Sequence, residues 1–353
     1  MSYQFPVDPQ DLFTERTEQF VNLGLPKQDL DQLRERVIDM WADAPGGWTY
    51  EWSQLASRYA ESGDPYRASL AYGGARFPCL ADESKATALR HQVEQYTLAA
   101  GAFPVDFERR WVTTRLGRQV VEVPVHVLSE KDAGDDTPVL IASGGIDTWK
   151  MDLHPMWVAL VAGAHVRVVA FDHPGVGELT QIRMTPDSAE IVDGVVAFAR
   201  TLSSGKVGHL GVSFGGYFAA RSGLRRLVDA AVVIGGPVSK ISFGADNARR
   251  LLYGMDNIFG NAVGFDEIPT TGQIIDASEA FALDDLLAGD ENSPMLVING
   301  DADVHVPPGD VKIFEGRRDT EVRLIPGGTH CAMNKIGELM PAVVGWVGSA
   351  LHR

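Results

Sequence analysis

Cysteine is scarce. The 353 residues hold two, Cys79 and Cys331. That excludes a disulfide-stapled secreted scaffold and fits a reducing, cytoplasmic setting. Long apolar runs are also lacking. Stretches such as MWVALVAGAHV fall well short of the roughly 20 residues a membrane-spanning helix needs. Positive charge is in deficit: 31 Lys and Arg against 47 Asp and Glu leave a net charge of −16. A surface this acidic argues against nucleic acid or an anionic membrane as partner. The N-terminal MSYQFPVDPQ has neither a basic region nor an apolar core, so no signal peptide is expected. No GxxxxGK[ST] loop or dinucleotide glycine fingerprint occurs. His91, His126, His154, His165, His173, His209 and His305 show no metal-ligand spacing. Neither a metal nor another cofactor is therefore expected.

What is present changes character near residue 105. From Pro26 to about Ala100 the apolar spacing is helical and no strand is visible. LPKQDLDQLRERVIDMW aligns Leu30, Leu33, Val37 and Trp41, and DESKATALRHQVEQYTLAA aligns Leu89, Val93, Tyr96 and Ala100. PYRASLAYGGAR between them is rich in Ala and Gly, which predicts a closely packed helix. Trp48, Tyr50 and Trp52 of GGWTYEW are expected in the core of this helical unit. After residue 105, FERRWVTT and QVVEVPVHVL read as a hairpin turning at RLGR. PVLIAS, HVRVVAF, VGHLGV, DAAVVIG, PMLVIN and EVRLIP follow as apolar strands separated by helical patterns. One such helix, TPDSAEIVDGVVAFARTL, is expected to start at Thr185 with Pro186 in its first position. Strands apolar on both faces and alternating with helices predict an α/β fold with a mostly parallel, doubly wound sheet. The division is 1–105 for a helical N-terminal cap and 106–353 for the sheet domain, with a lid-like helical insertion at 238–293.

The chemistry concentrates in Gly211-Val212-Ser213-Phe214-Gly215, a G-x-S-x-G elbow between an apolar strand and a helix start. Such a turn projects a serine hydroxyl from strained backbone, and the flanking glycines remove the Cβ atoms that would keep strand and helix apart. A nucleophilic serine needs a base and an orienting acid, in chain order Ser, Asp, His. His330 lies after the last strand in IPGGTHCAMN. Asp301 and Asp303 lie after PMLVIN. The spacing of Gly300, Asp303, Val306 and Pro307 favours Asp303, with Asp301 as a turn residue. Two oxyanion donors are required: the Phe214 N–H, and the N–H of Gly145 or Ile146 in the loop after PVLIAS. Asp147, Trp149 and Lys150 follow that loop and are candidate pocket residues. Asp172, Pro174, Gly175 and Gly177 of FDHPGVGELT read as a structural turn, and Cys331 as a packing residue.

Taken together, AYGGARFP, ASGGIDTWKMD, GVSFGGYFAAR and GGTHCAMN resemble the α/β-hydrolase superfamily, and within it the FrsA-like branch. That branch includes 2,6-dihydropseudooxynicotine hydrolase and fungal polyketide chain-shortening hydrolases. The resemblance implies the α/β-hydrolase fold with an all-helical N-terminal cap, and a serine hydrolase acting on a small carbonyl compound. Several members cleave a carbon–carbon bond beside a ketone, so hydrolysis of a β-diketone or polyketide-like substrate is the first expectation. Ester or thioester hydrolysis is the alternative, and a non-catalytic ligand-binding protein on the same fold is the alternative from another class. The substrate is expected between cap and sheet edge. As to protein partners, a homodimer is left open.

Overall fold

Strands apolar on both faces need helices on both sides, and the computed structural model, described for residues 3–353, supplies them. Five helices come first: α1 (Pro9–Leu23), α2 (Lys27–Arg36), α3 (Trp48–Glu61), α4 (Pro65–Ala75) and α5 (Glu83–Ala99). Helix α1 lies before the point where the apolar spacing turns helical. Its ends carry ordinary signals. Asp8 accepts the Gln10 N–H at 2.8 Å, Pro9 opens the helix, and Gly24 closes it at φ 120°. Phe13, Phe20, Trp48, Trp52 and Phe77 form the aromatic centre of this helical layer. Trp48 and Trp52 are buried as expected, whereas Tyr50 is only half-buried.

Two helix boundaries differ from the periodicity. Helix α2 ends at Arg36, because Val37 is extended and the Ile38 and Asp39 N–H groups both turn to the Gly46 carbonyl. Trp41 therefore leaves the α2 stripe. The helix expected from Thr185 begins at Ala189. Thr185 and Ser188 exchange backbone-to-hydroxyl bonds at 3.1 and 3.2 Å, which closes a separate turn ahead of it.

The sheet contains β1 (Asp106–Leu116), β2 (Gln119–Ser129), β3 (Val139–Ser143), β4 (Arg167–Phe171), β5 (Val207–Val212), β6 (Ala230–Ile234), β7 (Met295–Gly300) and β8 (Thr320–Ile325). Their order is β1-β2-β4-β3-β5-β6-β7-β8. The β1–β2 hairpin is antiparallel and joins β4 antiparallel; every later pairing is parallel. Alternate residues divide between two cores. Leu140, Ala142, Val168 and Leu210 pack with α6 (His154–Ala164) and the last helix, and Val139, Ile141 and Val169 pack on the face of α7 (Ala189–Ala199) and α8 (Phe214–Leu224).

Between β6 and β7 the chain runs through α9 (Lys240–Phe243), α10 (Ala245–Ala248), α11 (Met255–Val263), α12 (Thr271–Glu279) and α13 (Asp284–Leu287). Helices α14 (Pro308–Lys312) and α15 (Ile336–His352) complete the fold. The strand order reverses between β3 and β5, which lie side by side with Ser143 opposite Gly211. Open parallel sheets bind ligands at the carboxyl ends of strands flanking such a reversal. The loops leaving β3, β5, β7 and β8 all emerge at that edge. No helix among the described residues is long and apolar enough to cross a membrane.

Candidate active site

Ser213 sits between β5 and α8 at φ 55°, ψ −127°, a conformation that L-residues avoid. The elbow is tight enough to exclude side chains on either flank. A Cβ on Gly211 would stand 2.0 Å from the Gly215 carbonyl oxygen, and one on Gly215 would stand 2.4 Å from the Gly144 oxygen. The hydroxyl of Ser213 reaches His330 Nε2 at 2.8 Å, and His330 Nδ1–H donates to Asp303 Oδ2 at 2.7 Å. Three residues from three loops thus form one hydrogen-bonded line.

Asp303 is fully coordinated. Its Oδ1 accepts the His305 and Val306 N–H groups at 2.7 and 3.0 Å, and its Oδ2 also accepts Asn299 Nδ2 at 2.8 Å. Burial alone would raise the Asp303 pKa. The adjacent His330 charge and these bonds outweigh it and bring the carboxyl to about 2. Burial likewise pulls His330 toward neutrality, but the Asp303 carboxylate prevails and sets the imidazole well above its ordinary value. Asp301, two residues away, faces elsewhere and accepts the Gly327 N–H at 2.7 Å.

The loop after β3 treats the Gly145 and Ile146 N–H groups differently. The Gly145 N–H donates to the Thr148 carbonyl at 2.9 Å and is not available to a substrate. Its role is close approach: a Cβ there would lie 2.8 Å from Ser213 Cβ and 3.0 Å from Oγ. The Ile146 N–H has no acceptor among the described residues. The carbonyls around it are tied down, Ile146 O by Trp149 Nε1 at 3.1 Å and Asp147 O by Arg76 Nη1 at 2.6 Å. Phe214 is the first residue of α8, and the first N–H groups of a helix have no partner within it.

A cavity of 420 Å³ opens beside Ser213. Its walls come from α1 (Glu15, Arg16, Gln19) and from the sheet edge (Asp147, His330, Met333). Of the three candidate pocket residues, Asp147 lines this space and Trp149 and Lys150 do not. Trp149 is buried under the Arg76 guanidinium, 3.4 Å from its ring centre. Lys150 is fully buried and paired with Asp172 and Glu178, so its charge is satisfied inside the protein. The same Asp172 accepts the Lys150 and Glu178 N–H groups, which accounts for the FDHPGVGELT turn. Cys331 is buried, its thiol donating weakly to the Ile234 carbonyl at 3.4 Å.

Helix α1 brings residues that the motifs do not reveal. Glu15 Oε1 meets His305 Nε2 at 3.1 Å, and the His305 ring stands edge-on to His330 with centres 5.3 Å apart. Arg16 Nη2 lies 2.9 Å from Asp147 Oδ2, out of line for a hydrogen bond, so the attraction there is electrostatic. Burial would raise the Glu15 pKa, but Arg16 and His305 lower it and keep the carboxylate ionised. Asn299 also lay hidden at the end of an apolar strand. Its Oδ1 holds the Gly300 and Cys331 N–H groups at 2.8 and 3.0 Å, joining the β7 end to the His330 loop.

An eight-stranded, mostly parallel sheet with a serine elbow at its reversal point defines an α/β-hydrolase. Solved structures agree on the fold. AbyA5 superposes with a TM-score of 0.77 at 22% identity, covering 96% of this chain and 98% of its own. The 2,6-dihydroxy-pseudo-oxynicotine hydrolase superposes at 0.74 with 20% identity, covering 95% of each chain. The model of the esterase FrsA-like family matches residues 27–312, and the chain belongs to that family. Esterase FrsA of Photobacterium profundum is 26% identical over 211 residues, 55% of this chain and 48% of its own length. Hydrolase pyiE of Pyricularia grisea is 31% identical over 112 residues, 28% and 24% of the two chains. The chain spans about half the length or less of the curated relatives it matches.

Proposed function

We propose that the protein is a serine hydrolase of carboxylic esters, with Ser213 as nucleophile, His330 as general base and acid, and Asp303 as the orienting carboxylate. The observation that carries this reading is the unbroken line Ser213 Oγ–His330 Nε2 and His330 Nδ1–Asp303 at 2.8 and 2.7 Å. In the first step His330 takes the Ser213 proton as Oγ attacks the carbonyl carbon. The oxyanion is held by the N–H groups of Ile146 and Phe214. The imidazolium then protonates the leaving oxygen, and water repeats the sequence on the acyl-enzyme.

Hydrolysis of a carbon–carbon bond, the first expectation from the sequence, becomes the second reading. Its leaving group is a carbanion that must be protonated on carbon, a task for a neutral acid near the scissile bond. Of the carboxyls lining the 420 Å³ cavity, Glu18 is exposed, Glu15 is held ionised and Asp147 is paired with Arg16. One observation keeps the second reading: the buried His305 has an unpartnered Nδ1 and stands edge-on to His330, so a second imidazole lies beside the triad. The name of the 2,6-dihydroxy-pseudo-oxynicotine hydrolase likewise describes a hydrolase of a non-ester compound.

The test is a fluorophosphonate label read by intact mass, followed by turnover of an ester panel and a β-diketone panel. Wild type should take one label and Ser213→Ala none. Turnover should drop by about 10⁶ in the variant. A wild-type protein that takes no label would return the chain to the class of ligand-binding proteins on this fold. β-Diketone cleavage exceeding every ester would reverse the ranking.

A further inference from the structure

Ser213 and His330 also line a second, smaller cavity. We propose that this 80 Å³ space is the acyl pocket, and that it restricts the enzyme to substrates with a short, unbranched apolar acyl arm of about three or four carbons. The proposal rests on the serine-hydrolase reading above and goes beyond it in assigning the substrate class.

Four observations carry it. The cavity is lined by Ile146 and Phe214, whose N–H groups are the oxyanion donors, so a carbonyl bound there has its carbon beside Ser213 Oγ. Its remaining walls include Phe243, Ala248, Leu251, Phe259 and Ile274, all from the segment between β6 and β7. Three of the polar side chains on the same walls are occupied, and His305 alone keeps a buried nitrogen, Nδ1, without a partner among the described residues. Ser242 Oγ donates to Asp310 at 2.7 Å, Ser278 Oγ donates to the Phe243 carbonyl at 2.8 Å, and Asn247 Nδ2 donates to the Ser242 and His305 carbonyls, both at 2.9 Å. An apolar arm therefore displaces no bond.

The fourth observation is the contrast between the two cavities. Thr14, Glu18, Asn22, Val304 and Thr329, on the larger one, are exposed, whereas most of the residues around the smaller one are buried. The leaving group departs first and water must then enter. It follows that the leaving group occupies the larger space with its solvent-exposed rim residues, and the retained acyl arm the smaller one with its apolar walls. Size sets the limit. An apolar cavity of roughly 150 Å³ accommodates benzene. A space of 80 Å³ accommodates about half as many carbons.

Alkanesulfonyl fluorides test this directly, because they carry a single carbon arm. Ser213 Oγ bonds to sulfur, the S–F bond breaks, fluoride leaves, and the serine proton passes to His330. Methane-, butane- and octanesulfonyl fluoride are compared by the rate of mass gain on the full-length protein. The octane reagent should label at least about tenfold more slowly than the butane reagent, the usual scale for excess methylenes in a small apolar pocket. Ala248→Leu fills the cavity and should lower the butane-to-methane rate ratio by about tenfold. Leu251→Ala, at a half-buried wall position, should raise the octane-to-butane ratio and decides the matter if Ala248→Leu does not fold. Octane labelling as fast as butane in wild type, or ratios unmoved in Leu251→Ala, overturns the pocket assignment while leaving the nucleophile in place. Absence of labelling by every sulfonyl fluoride and by the fluorophosphonate overturns both.

Discussion

At the scale of single residues, two aspartates two positions apart have opposite fates. Asp303 receives four hydrogen bonds, one of them from His330, and Asp301 serves a backbone N–H of the next loop. Asp303→Asn should lower kcat by about 10⁴, the scale for losing the carboxylate that holds a catalytic imidazole in its working tautomer. Asp301→Asn should stay within a few-fold of wild type, and steady-state kinetics on one ester measures both. The pH profile follows from the same contact. His330 must be neutral to act as base, and Asp303 raises its pKa despite burial. The kcat/KM value should therefore rise with pH through a midpoint above about 6.5, the ordinary histidine value. In Asp303→Asn the raising charge is gone and burial remains, so the midpoint should move to lower pH. A midpoint that stays in place in the variant would mean that another group titrates.

At the scale of elements, the N-terminal helices hold the loop after β3. Arg76, just past α4, bonds the Asp147 carbonyl and pairs with Asp152, and α1 supplies Arg16 to the Asp147 carboxylate. Arg16 and Asp147 side chains are 7% and 5% exposed, so removing Arg16 leaves the Asp147 carboxylate as an uncompensated buried charge, whereas Arg16 without Asp147 keeps Glu15 as a partner. Arg16→Ala should destabilise the fold by about 3–5 kcal/mol, and adding Asp147→Ala should recover part of that loss. Urea unfolding of the two single variants and the double variant measures the coupling. Close packing also explains the two glycines of AYGGARFP: a Cβ on Gly73 would lie 2.6 Å from Asp152 Oδ1. A Cβ on Gly74 would fall 2.3 Å from the Trp52 ring, so α4 meets α3 only because that side chain is absent.

At the scale of the whole molecule, ties cross between the helices before β1 and the sheet at widely separated points. Gln19 Nε2 donates to Thr148 Oγ1 at 2.8 Å, Asn22 Nδ2 donates to the Met333 carbonyl at 3.0 Å, and the Tyr96 hydroxyl bonds His154 Nδ1 at 2.8 Å. Arg76 stacked on Trp149 adds a fourth. Units joined through buried charges and shared aromatic packing lose stability together. Calorimetry should show one cooperative transition; two resolved transitions would show that residues 1–105 fold as an independent cap.

Local rules made much of this protein legible before any coordinates. Period-two and unbroken apolar runs marked every strand. The tight glycine elbow marked Ser213, and the spacing after the last two parallel strands marked Asp303 and His330. Those signals are local because strand burial and sharp turns constrain neighbouring residues in the chain. What stayed hidden depends on contacts between distant segments. Only the folded chain shows that the Gly145 N–H is taken by Thr148 while Ile146 is left free, or that Lys150 is locked to Asp172 and Glu178 away from the cavity. Only the folded chain brings Glu15 against His305, 290 positions away. Apolar pattern records which side of an element is buried; it carries no record of which distant residue lies on the other side of that contact, and the geometry around Ser213 depends on that partner.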